Sequence, residues 1–247
     1  GLYFDSSITT PFHFIAVSGL AESPSNPVGG LSYINNEFEK GVEYLKELGV
    51  DYFITYTESI TKKAKSNSDF KLLFTEAPFS VFEIESNKVE LVDQKIETFE
   101  SISFTERTMS SIFRNTEYRN FFNESYKNYG YLSNYRVIEI PPGFQIDSSK
   151  ESKLEIKDLI ITSNKISFTT NKPNELHLIK VSYFPNWTID NGSGPFRISP
   201  SFMAIVPYSN NVLVTFERVS IETYSFYFGL ASLLLSLILF RSIRRND

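Results

Sequence analysis

The last quarter of the chain carries its clearest hydrophobic pattern. Between His177 and Glu217, short apolar runs alternate with clusters of Pro, Gly, Asn and Ser, which predicts antiparallel strands joined by turns. The uncharged run Thr223–Phe240 follows, and three arginines close it: Arg241, Arg244 and Arg245. The pattern predicts a terminal β meander placed directly before a membrane span.

The length and both ends of the uncharged run favour a transmembrane helix. Its eighteen residues would rise about 27 Å as a helix, close to the roughly 30 Å of a bilayer core. Aromatic residues cluster at its start, as they do at membrane interfaces: Tyr224, Phe226, Tyr227 and Phe228. Positive residues favour the cytoplasmic side, so residues 241–247 are expected inside the cell and the preceding domain outside it. A buried helix of a water-soluble protein is the alternative.

Small residues recur along this predicted helix at spacings of four, three and four: Ser225, Gly229, Ser232 and Ser236. Such spacing places them on one helix face, and small residues let helices approach closely in lipid. We therefore expect this face to pack against other transmembrane helices of the same parent protein. Chance use of serine in a short span is the alternative.

The first third of the chain favours a mixture of helices and strands. Phe38, Val42, Leu45 and Leu48 have helical spacing, and Gly49 ends the pattern. The alternating run Val50–Tyr56 then predicts a strand, so this joint is typical of an α/β unit. The pattern also predicts a strand at His13–Ser18 and a short basic helix at Glu58–Asn67.

Further short strands are predicted at Lys71–Glu76, Ser80–Glu85, Lys88–Asp93, Val137–Ile140, Leu154–Ile161 and Lys165–Thr170, with one or two helices in Phe104–Tyr129. A Ser-Asn pair at Ser86, Ser163 and Ser209 separates strand-like runs, and Asn tolerates the backbone of tight turns. We interpret these three places as hairpins. The fold class is thus α+β: an extracytoplasmic α/β segment (1–135), an antiparallel β-sandwich-like module (136–222), one transmembrane helix (223–240) and a basic tail.

Composition narrows the classes of function. The net charge is −5, which argues against a nucleic-acid partner. The chain has no cysteine, which excludes disulfides and thiolate chemistry, and a disulfide-free outer domain suits the plasma membrane of a bacterium or archaeon. The chain begins with Gly1 and has only two methionines, so we expect it to be the C-terminal piece of a longer protein.

Trp187, the single tryptophan, is the main candidate for a binding residue. In the predicted strand, Trp187 and Ile189 face one side, while Thr188 and Asp190 face the other. One interpretation makes Trp187 and Asp190 a contact site for a glycan, with the indole as a stacking platform. The favoured interpretation makes Trp187 a core residue between two sheets.

Catalytic and metal motifs are not recognisable. The two histidines, His13 and His177, are far apart in sequence and have no metal-ligand spacing. The run Asp190–Gly194 lacks the ligand register of a calcium loop and is read as a tight turn. No phosphate loop or nucleophile elbow occurs. We expect no cofactor and no catalytic residue on this chain.

Three stretches together resemble a known family: GLYFDSSITTPF, KGVEYLKELGVDYFITY and VSYFPNWTIDNGSGPFRISPSFMAIVP. In this order, before a last hydrophobic helix, they are similar to the C-terminal part of prokaryotic polytopic membrane proteins labelled "6-pyruvoyl-tetrahydropterin synthase-related". That family is similar to YfhO-type proteins and to GT-C glycosyltransferases, which transfer sugars from lipid-phosphate donors.

The resemblance implies a membrane glycosyltransferase parent that acts on envelope glycans or lipid-linked sugars. In GT-C enzymes the catalytic acid lies in an early extracytoplasmic loop, so the resemblance transfers no catalytic residue to this chain. Pterin chemistry needs a histidine-ligated zinc, which the histidines of this chain do not offer. The alternative is a membrane-anchored, non-enzymatic protein that binds a polysaccharide or a protein partner.

Overall fold

The computed structural model describes residues 9–92, 95–99, 135–139, 153–217 and 224–236. Three helices lie in the first part: α1 (Thr10–Leu20), α2 (Phe38–Glu47) and α3 (Glu58–Ser66). The strands are β1 (Tyr52–Thr55), β2 (Phe70–Glu76), β3 (Phe79–Ile84), β4 (Val89–Leu91), β5 (Lys95–Phe99), β6 (Tyr135–Glu139), β7 (Ile156–Ile161), β8 (Lys165–Thr170), β9 (His177–Ser182), β10 (Trp187–Ile189), β11 (Gly192–Ile198), β12 (Phe202–Pro207) and β13 (Asn211–Phe216). This composition confirms an α+β fold in which antiparallel pairing dominates.

The predicted strand at His13–Ser18 is wrong, because these residues lie inside helix α1. Short apolar runs do not distinguish a strand from a buried helix by periodicity. Helix α1 buries Phe12, Ile15 and Leu20, so it shows no polar face that would reveal its period. A methyl group built on Gly19 would come within 3.1 Å of the Gly41 Cα, which explains the small residues where α1 meets α2.

The predicted helix ending at Gly49 is confirmed, but the α/β joint is wrong. Strand β1 pairs antiparallel with β3 in a three-stranded sheet of order β1-β3-β2. One face of this sheet packs on helices α2 and α3 through a cluster that includes Val42, Ile60, Phe70 and Phe82. The helix–glycine–strand order therefore leads into an antiparallel sheet with helices on one side.

The other two sheets form a β-sandwich. The six-stranded sheet has the order β4-β9-β12-β11-β6-β5, and the four-stranded sheet has the order β10-β13-β8-β7. A core cluster between them joins Ile179, Met203 and Ile205 of the first sheet to Phe168 and Val214 of the second. Strands β5 and β6 pair in parallel, and the other paired strands are antiparallel.

Helices α1 and α2 cover the opposite face of the six-stranded sheet. Phe12 and Leu48 share a core cluster with Leu178, Phe202 and Ala204. Because successive side chains of a strand point to opposite faces, β9 and β12 contribute alternate residues to the two cores. The result is three layers, in which strands β9 and β12 at the centre of the six-stranded sheet are buried on both sides.

The interpretation of Ser163 as a hairpin turn is confirmed, because β7 and β8 pair antiparallel. The hairpins at Ser86 and Ser209 are wrong, since each turn connects strands of two different sheets. The terminal meander is wrong for the same reason. A Ser-Asn turn marks where the chain reverses, but it does not select the sheet that the next strand joins.

The six-stranded sheet combines β4 and β5 with strands that begin at residue 135 or later, so it draws from both sides of the predicted domain boundary. The predicted helices at Phe104–Tyr129 lie outside the described residues. Residues 224–236 are helical. Among the residues that the structure describes, no helix has both the length and the apolarity needed to cross a membrane.

Candidate functional site

Trp187 lies at the start of β10, with its indole against the ring of Phe216. The two ring centroids are 5.1 Å apart and the planes meet at 83°, an edge-to-face geometry that aromatic pairs favour. Trp187 is 7% exposed and belongs to the core between the two sheets. The prediction that Trp187 is buried between β layers is therefore confirmed.

A third ring extends this aromatic contact to the surface. Phe184 lies edge-on to Phe216 at 6.3 Å, and the backbone N–H of Trp187 donates to the Phe184 carbonyl at 3.2 Å. Asn186 fixes the neighbouring chain end, because its Nδ2 donates to the Glu217 carbonyl at 3.0 Å. These bonds tie the start of β10 to the end of β13.

The glycan contact at Trp187 and Asp190 stays a prediction. The two residues flank the short strand β10, where Trp187 faces the core and Asp190 is exposed. The Asp190 N–H donates to the Leu213 carbonyl at 3.0 Å, which fixes its backbone to β13. Little of the indole is accessible, so stacking a sugar on it would require Phe216 or Phe184 to move.

The run Asp190–Gly194 forms the connection from β10 into β11. Gly194 has a φ of +103°, and a methyl group there would lie 2.8 Å from the Ala204 carbonyl oxygen. The pairing of β11 with β12 shifts register between Ser193 and Phe196. In the described part of the chain, no group of three or more His, Cys, Asp or Glu side chains has a metal-binding arrangement.

Lys180 is a buried cation that the sequence pattern does not predict as a site. Its side chain is 2% exposed, and its Nζ lies 2.7 Å from Oε1 of Glu90. The same Nζ donates to the carbonyl of Lys46 at 3.1 Å, in the last turn of α2. The carbonyls at a helix C-terminus lack partners within the helix and attract positive charge, so Lys180 links the helical layer to the sheet.

A second lysine makes a similar contact beside the first. The Nζ of Lys88 forms a salt bridge with Asp51 at 2.5 Å and also donates to the carbonyl of Gly49. The two lysines are also joined through the backbone, because the Lys180 N–H donates to the Lys88 carbonyl at 2.9 Å. Two ammonium groups from the β4–β9 region thus hold the turn between α2 and β1.

His177 is fully buried in β9 and bonded through both ring nitrogens. Nδ1 lies 2.8 Å from the carbonyl oxygen of Glu175, and Nε2 lies 2.8 Å from Oγ1 of Thr170. A neutral ring satisfies both contacts if Nδ1–H donates to the carbonyl and Nε2 accepts from the hydroxyl. Burial lowers the pKa of His177 from its ordinary value of 6.5, and the hydrogen bond to Glu175 opposes part of this shift.

The predicted packing face lies on the helical segment 224–236, whose residues are all exposed. A methyl group built on Gly229 would meet no atom within 4 Å. The Ser236 hydroxyl donates to the Ser232 carbonyl at 2.9 Å, which satisfies it within the helix. Contact of this face with other spans stays a prediction.

No protein-family model, no curated protein and no solved structure matches the chain. The resemblance to GT-C-type membrane proteins therefore stays a prediction that rests on the residues that carry it. The buried polar residues described above were missed at the sequence level, although one signal was present: a lysine at the centre of the apolar strand HLIKVS. A charge at such a position must find a partner when the strand is buried.

Proposed function

We propose that this chain is the extracytoplasmic C-terminal module and last transmembrane helix of a larger membrane protein, in which it has a supporting, non-catalytic role. The observation that carries the proposal is the exposure of the helical segment 224–236. Eight large apolar or aromatic side chains on it are 47–80% exposed: Tyr224, Phe226, Tyr227, Phe228, Leu230, Leu233, Leu234 and Leu235.

At about 100° per residue, these positions cover roughly 220° of the helix surface, and the remaining arc holds the small uncharged residues Ser225, Gly229, Ser232 and Ser236. A helix with no charged face and a wide apolar surface belongs inside a protein or a bilayer, and hiding each large side chain from water is worth about 1.5–3 kcal/mol. The uncharged sequence continues to Phe240 before the arginines begin, so the complete run has the length that a bilayer requires. Its basic end favours a cytoplasmic C-terminus.

The contacts of the buried charged residues are consistent with a structural role. Lys180 binds Glu90 and the Lys46 carbonyl at the end of α2, and Lys88 binds the Gly49 carbonyl just after it. These contacts join the helical layer to the six-stranded sheet. The sequence resemblance makes a GT-C-like glycosyltransferase the proposed parent, with lipid-linked sugars or envelope glycans as its substrates. Here the module shapes or stabilises the outer side of the membrane core.

Single cysteines test this orientation cleanly, because the chain has no cysteine of its own. In intact cells, Asn210→Cys should react with a membrane-impermeant maleimide, whereas Asn246→Cys should react only after the cells are opened. The reverse labelling would contradict the orientation. Sugar transfer from a lipid-linked donor by this chain alone would contradict the non-catalytic role.

A second function, recognition of a polysaccharide or a protein partner, is favoured by the outer face of the three-stranded sheet. Tyr52, Ile54 and Phe74 are 58–61% exposed there, and Val81 lies between Ile54 and Phe74 in the strand register. Exposed apolar patches often mark binding surfaces. Loss of polysaccharide binding in Tyr52→Ala and Phe74→Ala, with an unchanged melting temperature, would support this function over a purely supporting one.

A further inference from the structure

The two ends of the four-stranded sheet differ in chemistry. At one end, Phe184 is 43%, Phe216 is 38% and Ile161 is 39% exposed, and the Phe216 ring contacts both Trp187 and Phe184. Ile161 belongs to this end because it pairs with Ile166, which pairs with Val214, two residues before Phe216. We call these four residues, Phe184, Trp187, Phe216 and Ile161, the apolar end.

The exposed residues at the opposite end of the same sheet are mainly polar and bond to each other. Asn210 donates through Nδ2 to the Thr170 carbonyl at 2.8 Å, and the Asn211 side chain accepts from the Thr169 hydroxyl at 3.4 Å. Tyr208 is exposed at this end, and its hydroxyl hydrogen-bonds with Ser193. The contrast is that the exposed ring at this end carries a hydroxyl bonded to Ser193, whereas the two exposed rings at the apolar end are phenylalanines without a polar atom.

The apolar end is also the end from which the chain leaves towards the helical segment. Glu217 follows Phe216 directly, and residue 224 begins the helix. Seven chain steps reach at most about 25 Å, which keeps the apolar end near the start of the proposed span. The aromatic residues Tyr224, Phe226 and Tyr227 at that start fit the head-group level of a bilayer.

We propose that the apolar end rests on the outer surface of the lipid bilayer at the level of the head groups. This inference rests on the proposed membrane anchoring and adds a fixed orientation of the sandwich. Phe184, Phe216 and Ile161 enter the interface, where rings with an apolar body are favoured. Lys165, which is exposed on the other face of the sheet at the same end and is paired with Thr215, extends its ammonium to lipid phosphates.

The single tryptophan makes the inference measurable. The full chain is reconstituted in phosphatidylcholine–phosphatidylglycerol vesicles whose acyl chains carry bromine near the head group, a short-range quencher of indole fluorescence. Because Trp187 touches Phe216, its emission should be reduced relative to vesicles without bromine. The matched control moves the indole to the polar end with Trp187→Phe and Tyr208→Trp, roughly 20 Å along the strands, and its emission should be unchanged.

The outcomes separate this inference from the function on which it rests. If the chain resists alkaline extraction from the vesicles but Trp187 is not quenched, the inference is overturned and the anchoring stands. If alkaline treatment extracts the chain, the anchoring itself fails and the inference fails with it. Equal quenching at positions 187 and 208 would also overturn the inference, as would disulfide-linked dimers of Phe184→Cys, which would assign the apolar end to a second copy of the chain.

Discussion

Lys180 and Glu90 form an ion pair whose two members are unequally buried. The Nζ–Oε1 distance is 2.7 Å, yet the lysine side chain is 2% exposed and the glutamate side chain is 28% exposed. Glu90 can therefore exchange its partner for water, whereas Lys180 has no such exchange available. The pair joins β9 to its neighbour β4, and the Lys46 carbonyl extends the contact to α2.

This asymmetry predicts that removing the carboxylate costs more than removing the ammonium. Glu90→Ala leaves a buried, uncompensated charge and should lower the free energy of unfolding by about 3–5 kcal/mol. Lys180→Met keeps the apolar stem and leaves Glu90 partly hydrated, so its cost should be smaller. Denaturant unfolding followed by Trp187 fluorescence measures both, and a larger loss in Lys180→Met would contradict the account.

The turn after α2 predicts a strict requirement for glycine at position 49. Gly49 has a φ of +66°, and a methyl group there would lie 2.9 Å from the Cβ of Lys180. Gly49→Ala should therefore cost about 1–2 kcal/mol from backbone strain alone, with the close contact added. Gly29→Ala is the matched control, because a methyl group at Gly29 meets nothing within 4 Å. Similar thermal midpoints for the two variants would refute the requirement.

His177 predicts a loss of stability in mild acid. Burial lowers the pKa of His177 in the folded protein below its ordinary value of 6.5, so the unfolded chain binds the proton more readily. Stability is then unaffected by this group above pH 6.5 and falls by up to about 1.4 kcal/mol per pH unit as the pH drops from there towards the folded pKa.

The check is the pH dependence of unfolding in the wild-type chain and in His177→Gln. Glutamine can accept from the Thr170 hydroxyl but does not titrate, so the slope just below pH 6.5 should become shallower in the variant. An identical slope in both proteins would show that another group titrates in this range.

Trp187→Ala should cost about 3–5 kcal/mol of stability, the usual range for large aromatic side chains in cores. The cavity would open against Phe216 and the interior cluster of the sandwich. Tyr208→Ala, at an exposed ring, is the control and should cost much less. Circular dichroism melting measures both variants. A Trp187→Ala chain that keeps its melting temperature but loses glycan binding would favour the sugar-stacking interpretation instead.

Local patterns predicted most of the elements, because period and turn residues act over short distances. Helix α2 and strand β8 show this, since each has the spacing of its own structure. The strand predicted at His13 failed because the less buried face of helix α1 includes the apolar residues Phe14 and Val17, so no polar face marks the helical period.

Sheet membership was not predictable in the same way. Strands β12 and β13 follow each other with a clear turn between them, yet they pair with β9 and β8 in different sheets. The strand with which each of them pairs is decided by burial against residues distant in sequence, and not by the turn between them. The contact of Lys180 with Lys46 and Glu90 has the same origin, because only the finished three-layer packing brings residues so distant in sequence together.

The helical segment 224–236 leads to a prediction about assembly. A methyl group at Gly229 meets no atom of this chain within 4 Å, so a larger side chain there leaves the fold of the module itself undisturbed. If the face of Ser225, Gly229 and Ser232 packs on other spans, however, Gly229→Leu separates helix backbones that small residues allow to touch. Leu234→Ala, which lies off that face, is the control and should have little effect on packing.

The measurement is co-purification of this chain with the remaining spans of its parent protein, alongside a melting curve of the module. Gly229→Leu should reduce co-purification while the melting temperature stays unchanged, and equal effects of the two variants would remove the small-residue face as a contact surface.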